Sequence, residues 1–268
     1  MVLLLVAHGS RDPRHAATVT TLRDRLAATR PGLRVEVGYL DFCVPSVPLV
    51  LERLAAEGVR EVIALPLLLT RAFHARSDVP AVLREVTAGL PGLRVRQAAV
   101  LGPSPLLTAT LERRLREAGV RPGERRSTGV VLAAAGSSDP EAGAVIAGVA
   151  REWERAGGWF AVRPAFASAA GPRVGDAIRA LRAAGARRVA VAPYVLAPGR
   201  LPDRIAAGAG PADTVAQVLG AAREVVSLIL RRYEEATASA ATVSAATASS
   251  ATASSAARPQ DHSAAFRG

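Results

Sequence analysis

The hydrophobic positions of this chain fall in short unbroken runs, separated by stretches in which apolar residues recur three and four apart. Val2–Ala7 is the first run. Because it is continuous rather than alternating, it predicts a strand buried on both faces. Ala16–Thr29 has helical spacing, with Arg and Asp on the outer side, and Arg34–Leu40 predicts a second strand. Val47–Glu57 reads as a helix closed by Gly58, and Glu61–Leu69 as a third strand. Val79–Ala88 is a helix ended by Gly89, Arg94–Val100 a fourth strand, and Leu106–Ala118 a last helix. Apolar strands alternating with helices predict an α/β fold with a parallel sheet covered on both faces.

The pattern then repeats. Leu5-Val6-Ala7-His8-Gly9-Ser10-Arg11-Asp12-Pro13 returns as Leu132-Ala133-Ala134-Ala135-Gly136-Ser137-Ser138-Asp139-Pro140, a shift of 127 residues from Gly9 to Gly136. The same shift carries Pro45 onto Pro172, Leu54 onto Leu181, Gly58 onto Gly185, Val62 onto Val189, Pro66 onto Pro193 and Leu69 onto Leu196. A gap-free match of glycines, prolines and apolar positions over so long a stretch means two copies of one unit. The expected organisation is an N-terminal half over 1–122 and a degenerate second copy over 128–235 that ends in a helix at Ala212–Tyr233. A tail follows over 236–268. Residues 236–257 are Ala, Ser and Thr with one Val, a composition that cannot bury a core, so the tail is expected to be disordered.

Composition changes this picture only at the margins. Half of the 268 residues are apolar and 21% are charged, enough for a core. Val2–Ala7 is too short to span a bilayer and lacks a preceding basic segment, so no membrane association and a cytoplasmic location are expected. One cysteine, Cys43, excludes a disulfide framework and a cysteine-rich zinc site. All 34 basic residues are Arg, and the net charge is +11. Without Lys, a P-loop and a Schiff-base lysine are both excluded. The Arg residues are scattered and only 4% of residues are aromatic, so no nucleic-acid partner is expected; an anionic small molecule fits the charge better.

Chemistry concentrates at one edge of the predicted first sheet. Of four histidines, His262 is in the tail and His15 sits in the turn before the first helix. His8 directly follows strand one, Asp41 follows strand two, and His74 lies in the loop after strand three. Open parallel sheets bind ligands at the carboxyl ends of their strands. Two imidazoles and an oxygen ligand there suit a divalent first-row metal with positions left open. The repeat sharpens the point: at the same shift His8 meets Ala135, Asp41 meets Ser168 and His74 meets Leu201. Scaffold residues recur while all three candidate ligands occur once. Ser10 lacks an orienting third group that would make it a nucleophile with His8. Gly9 and Ser10 read instead as a tight turn with backbone N–H groups, and Asp12-Pro13 as a helix start.

These residues carry a family resemblance. Val6-Ala7-His8-Gly9-Ser10-Arg11-Asp12-Pro13 resembles the opening motif of class II chelatases of the CbiX/SirB type, the sirohydrochlorin cobalto- and ferrochelatases. Leu65-Pro66-Leu67-Leu68-Leu69, Phe73-His74 and Asp78-Val79-Pro80 resemble that family's second motif, and Tyr39-Leu40-Asp41 with Pro45-Ser46 its intervening segment. Asp41 stands where a glutamate is usual, and Thr70-Arg71-Ala72-Phe73 lacks the usual glycines. The resemblance covers about residues 2–235 and is more specific in the first half. It implies two similar α/β halves around an active-site cleft, and insertion of Fe2+ or Co2+ into sirohydrochlorin for siroheme or cobalamin, with iron favoured. No organic cofactor is implied; the metal is a substrate. His8 and His74 would hold it, a freed imidazole would accept a pyrrole proton, and Asp41 would orient an imidazole or complete the metal shell. Ser10, Arg11, Arg76 and Arg200 would bind the substrate's carboxylates. A fused pair of halves makes a monomer sufficient. The alternative is a carrier that binds metal or tetrapyrrole without turnover.

Overall fold

The computed structural model describes residues 1–70, 78–169, 171–210 and 213–255, with side chains described to residue 239. His74, Arg76 and residues 256–268 lie outside the described residues. The chain builds two four-stranded parallel sheets, as the repeat predicts. The first has the order β2-β1-β3-β4, from β1 (Val2–Ala7), β2 (Arg34–Tyr39), β3 (Glu61–Pro66) and β4 (Arg94–Gln97). The second has the order β6-β5-β7-β8, from β5 (Thr128–Ala134), β6 (Ala161–Phe166), β7 (Arg188–Tyr194) and β8 (Thr214–Val215). The two unbroken apolar runs, β1 and β5, are flanked on both edges and buried along their whole length. That is why they show no alternation.

Helices cover both faces of each sheet: α1 (Pro13–Thr29), α2 (Val47–Ala56), α3 (Asp78–Ala88), α4 (Pro105–Glu117), α5 (Pro140–Gly157), α6 (Val174–Ala183), α7 (Arg200–Ala207) and α8 (Arg223–Ser255). A 3-10 turn at Pro122–Ser127 joins the halves. On the outer face of the first sheet, Val50, Leu51 and Leu54 of α2 and Leu83 of α3 pack on Val2, Leu4 and Val6. The inner faces of both sheets share one core with α1, α4, α5 and α8, in which Leu22, Leu111, Trp153 and Ile229 meet.

The terminal helices are exchanged. α4, which follows the first sheet, packs on β7 of the second, and α8, which follows the second, packs on β3 and α1 of the first. Glu112 of α4 accepts from Trp153 Nε1 of α5 at 2.9 Å, while Arg231 of α8 donates to Ser104 Oγ at 3.1 Å. Burying each apolar helix against the other half joins the halves through a single hydrophobic core.

Two expectations need correction. Ala212–Tyr233 is not one helix. Thr214 and Val215 pair with Ala190 and Val191 as β8, and the helix starts only at Arg223, after Gly220 at φ +60°. The adjacent β-branched residues Thr214 and Val215 favour the strand, and helical spacing begins beyond it. The backbone of α8 also continues to Ser255, past the expected boundary at residue 236. Alanine is the strongest helix former, and Thr237 and Ser239 hydroxyls bond back to the Glu234 and Glu235 carbonyls at 2.8 and 3.0 Å.

Candidate functional site

The parallel register of β1 and β2 runs on past the strand ends. Leu40 N–H donates to the Ala7 carbonyl and Asp41 N–H to the His8 carbonyl, both at 2.9 Å. His8 and Asp41 therefore emerge side by side at the carboxyl edge of the sheet, both exposed. Gly9 makes this approach possible. It sits at φ +94°, and a Cβ built there would lie 1.8 Å from the Asp41 carbonyl oxygen. No side chain fits without displacing Asp41. Beyond it, Ser10 Oγ accepts from Asp12 N–H at 3.1 Å, and Asp12 caps α1 by accepting from Arg14 N–H at 3.0 Å. Cys43 pins the two loops together: its thiol donates to the Ser10 carbonyl at 3.1 Å.

The second half copies this frame closely. Gly136 sits at φ +91° with a built Cβ 2.0 Å from the Ser168 carbonyl oxygen. Ser168 N–H donates to the Ala135 carbonyl at 2.9 Å, and Ser137 Oγ accepts from Asp139 N–H at 3.1 Å. Phe42 at φ +58° is matched by Ala169 at φ +59°, and the cis Val44–Pro45 bond by cis Gly171–Pro172. The hydroxyl acceptor role of Ser10 is thus part of the scaffold, since Ser137 repeats it. Among the side chains that differ are Ala135 for His8, Ser138 for Arg11, Ser168 for Asp41 and Ala169 for Phe42.

Around His8 stand groups that sequence patterns do not reveal. The Phe42 ring lies edge-to-face with the His8 ring, centroids 6.2 Å apart, and the Arg11 guanidinium is 5.2 Å from the Phe42 centroid. Asp41 turns one carboxylate oxygen, Oδ1, onto the Phe42 N–H at 2.8 Å. His15, set aside in the sequence as a turn residue, occupies the first turn of α1 against Tyr39, with ring centroids 6.5 Å apart. Its Nδ1 is buried with no hydrogen-bond partner among the described residues. Burial holds the His15 pKa below the ordinary imidazole value, and the charge of His8 adds to the shift, against a smaller opposing pull from Asp12.

The expected pair His8–His74 cannot be measured, because His74 falls outside the described residues, as does Arg76. Among the described residues no three His, Cys, Asp or Glu side chains gather as a metal cage. The stretch before the segment that holds His74 is tied to both halves: Leu101 N–H donates to the Leu68 carbonyl at 2.9 Å, and the buried Tyr194 hydroxyl of β7 to the Leu69 carbonyl at 3.5 Å. Arg200 is exposed at the start of α7. That helix end is held at the first half's motif, where Arg14 bridges Asp12 at 2.6 Å and Asp203 of α7 at 2.5 Å. The same guanidinium lowers the Asp12 pKa to about 2. Where the carboxyl edges of the two sheets meet, a 270 Å³ cavity is lined by Leu69 and Thr70 from one half and by Gly136, Ser137, Phe166 and Tyr194 from the other.

Comparisons with known proteins agree with this arrangement. The family profile described as CbiX matches residues 2–118 and 129–236. A sirohydrochlorin cobaltochelatase of Priestia megaterium is 27% identical over 209 residues, which span 76% of this chain and 66% of that protein, just short of two thirds. A sirohydrochlorin ferrochelatase of Bacillus subtilis is 26% identical over 203 residues, 76% of this chain and 77% of that protein. The fold matches that of SirB from Bacillus subtilis with Fe3+ at a TM-score of 0.79 and 23% identity, covering 90% of this chain and 97% of that one. No helix among the described residues is long and apolar enough to cross a membrane.

Proposed function

The chain belongs to the CbiX family, and on that premise we propose that it is a chelatase that inserts a divalent metal, Fe2+ or Co2+, into sirohydrochlorin. The observation that carries this reading is the asymmetry of the duplicated frame: His8 and Asp41 stand on loops whose backbone is copied in the second half, where Ala135 and Ser168 stand instead. Folding requires the frame in both halves; only chemistry requires the donors in one.

In this mechanism the metal ion is a substrate. His8 and His74 hold the incoming ion through neutral imidazole nitrogens, leaving positions open for the macrocycle. As the ion passes to the pyrrole nitrogens, two pyrrole N–H protons are lost: a released imidazole takes up one and the other passes to solvent. Asp41 acts first on its own turn, through the Phe42 N–H, and thereby sets the loop beside His8. Arg11, Arg76 and Arg200 attract the carboxylates on the rim of the macrocycle, and Ser10 offers a further polar contact. No organic cofactor takes part, the substrates are the only partners, and a single chain contains both halves of the cleft.

The test is the visible spectrum of sirohydrochlorin incubated anaerobically with the protein and either Fe2+ or Co2+, against a control without protein. Catalytic spectral change is expected, and the faster metal identifies the pathway. A change that stops at one equivalent of protein would instead identify a carrier.

A further inference from the structure

Phe42 is half exposed, at 51%, and it is the only aromatic among the large exposed apolar side chains of the described residues. Its backbone is bent into a three-residue turn closed by Cys43 N–H donating to the Asp41 carbonyl at 2.7 Å, with φ +58°. A bulky residue is disfavoured at such a φ, where glycine or asparagine would serve the turn better. The fold also gains little from a ring that stays half in water. The duplicated half separates bend from ring. Ala169 makes the same bend at φ +59° with only a methyl group. The turn therefore belongs to the scaffold, whereas the ring, like His8, occurs once.

The surroundings of the ring define what it can hold. Its edge-to-face contact with His8 sets it beside the proposed metal donor, and Arg11 lies 5.2 Å from its centroid. The guanidinium lies over one face of the ring, and together they complement a flat π-system with anionic substituents: the exposed part of the ring takes the macrocycle and the cation takes a carboxylate. Resting on the chelatase reading above, we propose that Phe42 is a substrate-positioning residue, a stacking shelf for the tetrapyrrole that sets the macrocycle against His8 while Arg11 engages a rim carboxylate.

The experiment compares wild type, Phe42→Ala (the residue of the second half) and Phe42→Tyr. Two quantities are read: the Kd for metal-free sirohydrochlorin, from its own absorbance and fluorescence, and KM and kcat for insertion of Fe2+ or Co2+. Phe42→Ala is expected to raise Kd and KM about tenfold while kcat stays within about threefold, the size of one lost aromatic stack. Phe42→Tyr, which keeps the ring, is expected to restore both. Wild-type Kd and KM in Phe42→Ala, or a fall in kcat alone, would overturn the shelf and leave the chelatase reading standing. Binding by wild type without turnover would sink the chelatase reading, while the Kd of Phe42→Ala still decides the shelf. No binding by wild type would end both.

Discussion

Replacing Gly9 by Ala, alongside the matching change at Gly136, tests the separation of frame from chemistry. At φ +94° and φ +91°, both positions lie in the left-handed region, where a Cβ costs about 1–2 kcal/mol. The added methyl would also sit 1.8 Å from the Asp41 oxygen in one half and 2.0 Å from the Ser168 oxygen in the other. Neither can be accommodated without moving backbone, an overpacking cost of about 1–3 kcal/mol. Each variant should therefore lose about 2–5 kcal/mol, near 10 °C in Tm for a chain of this size, and remain folded at room temperature. Their activities should diverge. In Gly9→Ala the displaced atom is the carbonyl of Asp41, whose N–H holds the His8 carbonyl. A shift of about 1 Å there should lower kcat about a hundredfold. Gly136→Ala disturbs loops bearing Ala135 and Ser168, so kcat should stay within about threefold of wild type. Urea denaturation gives the stability and initial rates of metal insertion give kcat. Equal losses of kcat in the two variants would refute the assignment of chemistry to the first half. Unequal losses of stability would refute the equivalence of the frames.

Three further outcomes are expected. His74→Ala should abolish insertion while far-UV circular dichroism and Tm stay at wild-type values; turnover in that variant would remove His74 from the mechanism. His15 has a folded-state pKa below its unfolded value, so the stability it contributes is present above about pH 6.5 and is lost as pH falls towards the folded pKa. The stability difference between wild type and His15→Leu should therefore move against wild type from pH 7.5 to 5.5, by at most about 1.4 kcal/mol per pH unit, and a pH-independent difference would refute the burial argument. Glu224 of α8 accepts from Arg113 of α4 at 2.9 and 3.1 Å, which holds its pKa down to about 2. Glu224→Gln should cost about 1–3 kcal/mol at pH 7 in urea denaturation. The cost should shrink as pH falls from 4.5 towards 2 and the wild-type carboxylate takes up its proton; a constant cost would show that packing alone is lost.

Much of this protein can be read in its sequence because its signals are local or repeated. Continuous apolar runs such as Val2–Ala7 place buried strands, since a strand covered on both faces has no solvent side to alternate with. The shift of 127 residues compares the two halves directly and isolates His8 and Asp41 as residues of one half. Where the second half departs from the first, the comparison fails: Thr214–Val215 lies out of step with the first-half pattern, so no counterpart marks the strand there.

The rest depends on contacts between residues far apart in the chain. No periodicity indicates that α4 and α8 change places, because an apolar helix face is the same whichever sheet it covers. The bend at Phe42 follows from a bond between Asp41 and Cys43 within a loop shaped by Ser10, so a Phe in the left-handed region cannot be inferred from its neighbours. The perturbation of His15 arises from burial against Tyr39 and the nearness of His8, both products of packing. Sequence alone determined the duplicated α/β scaffold and the half that carries the imidazoles, since burial patterns and repeats are written along the chain. Tertiary structure decided how the halves share one core and which side chains surround His8, since those depend on distances in space that chain order does not encode.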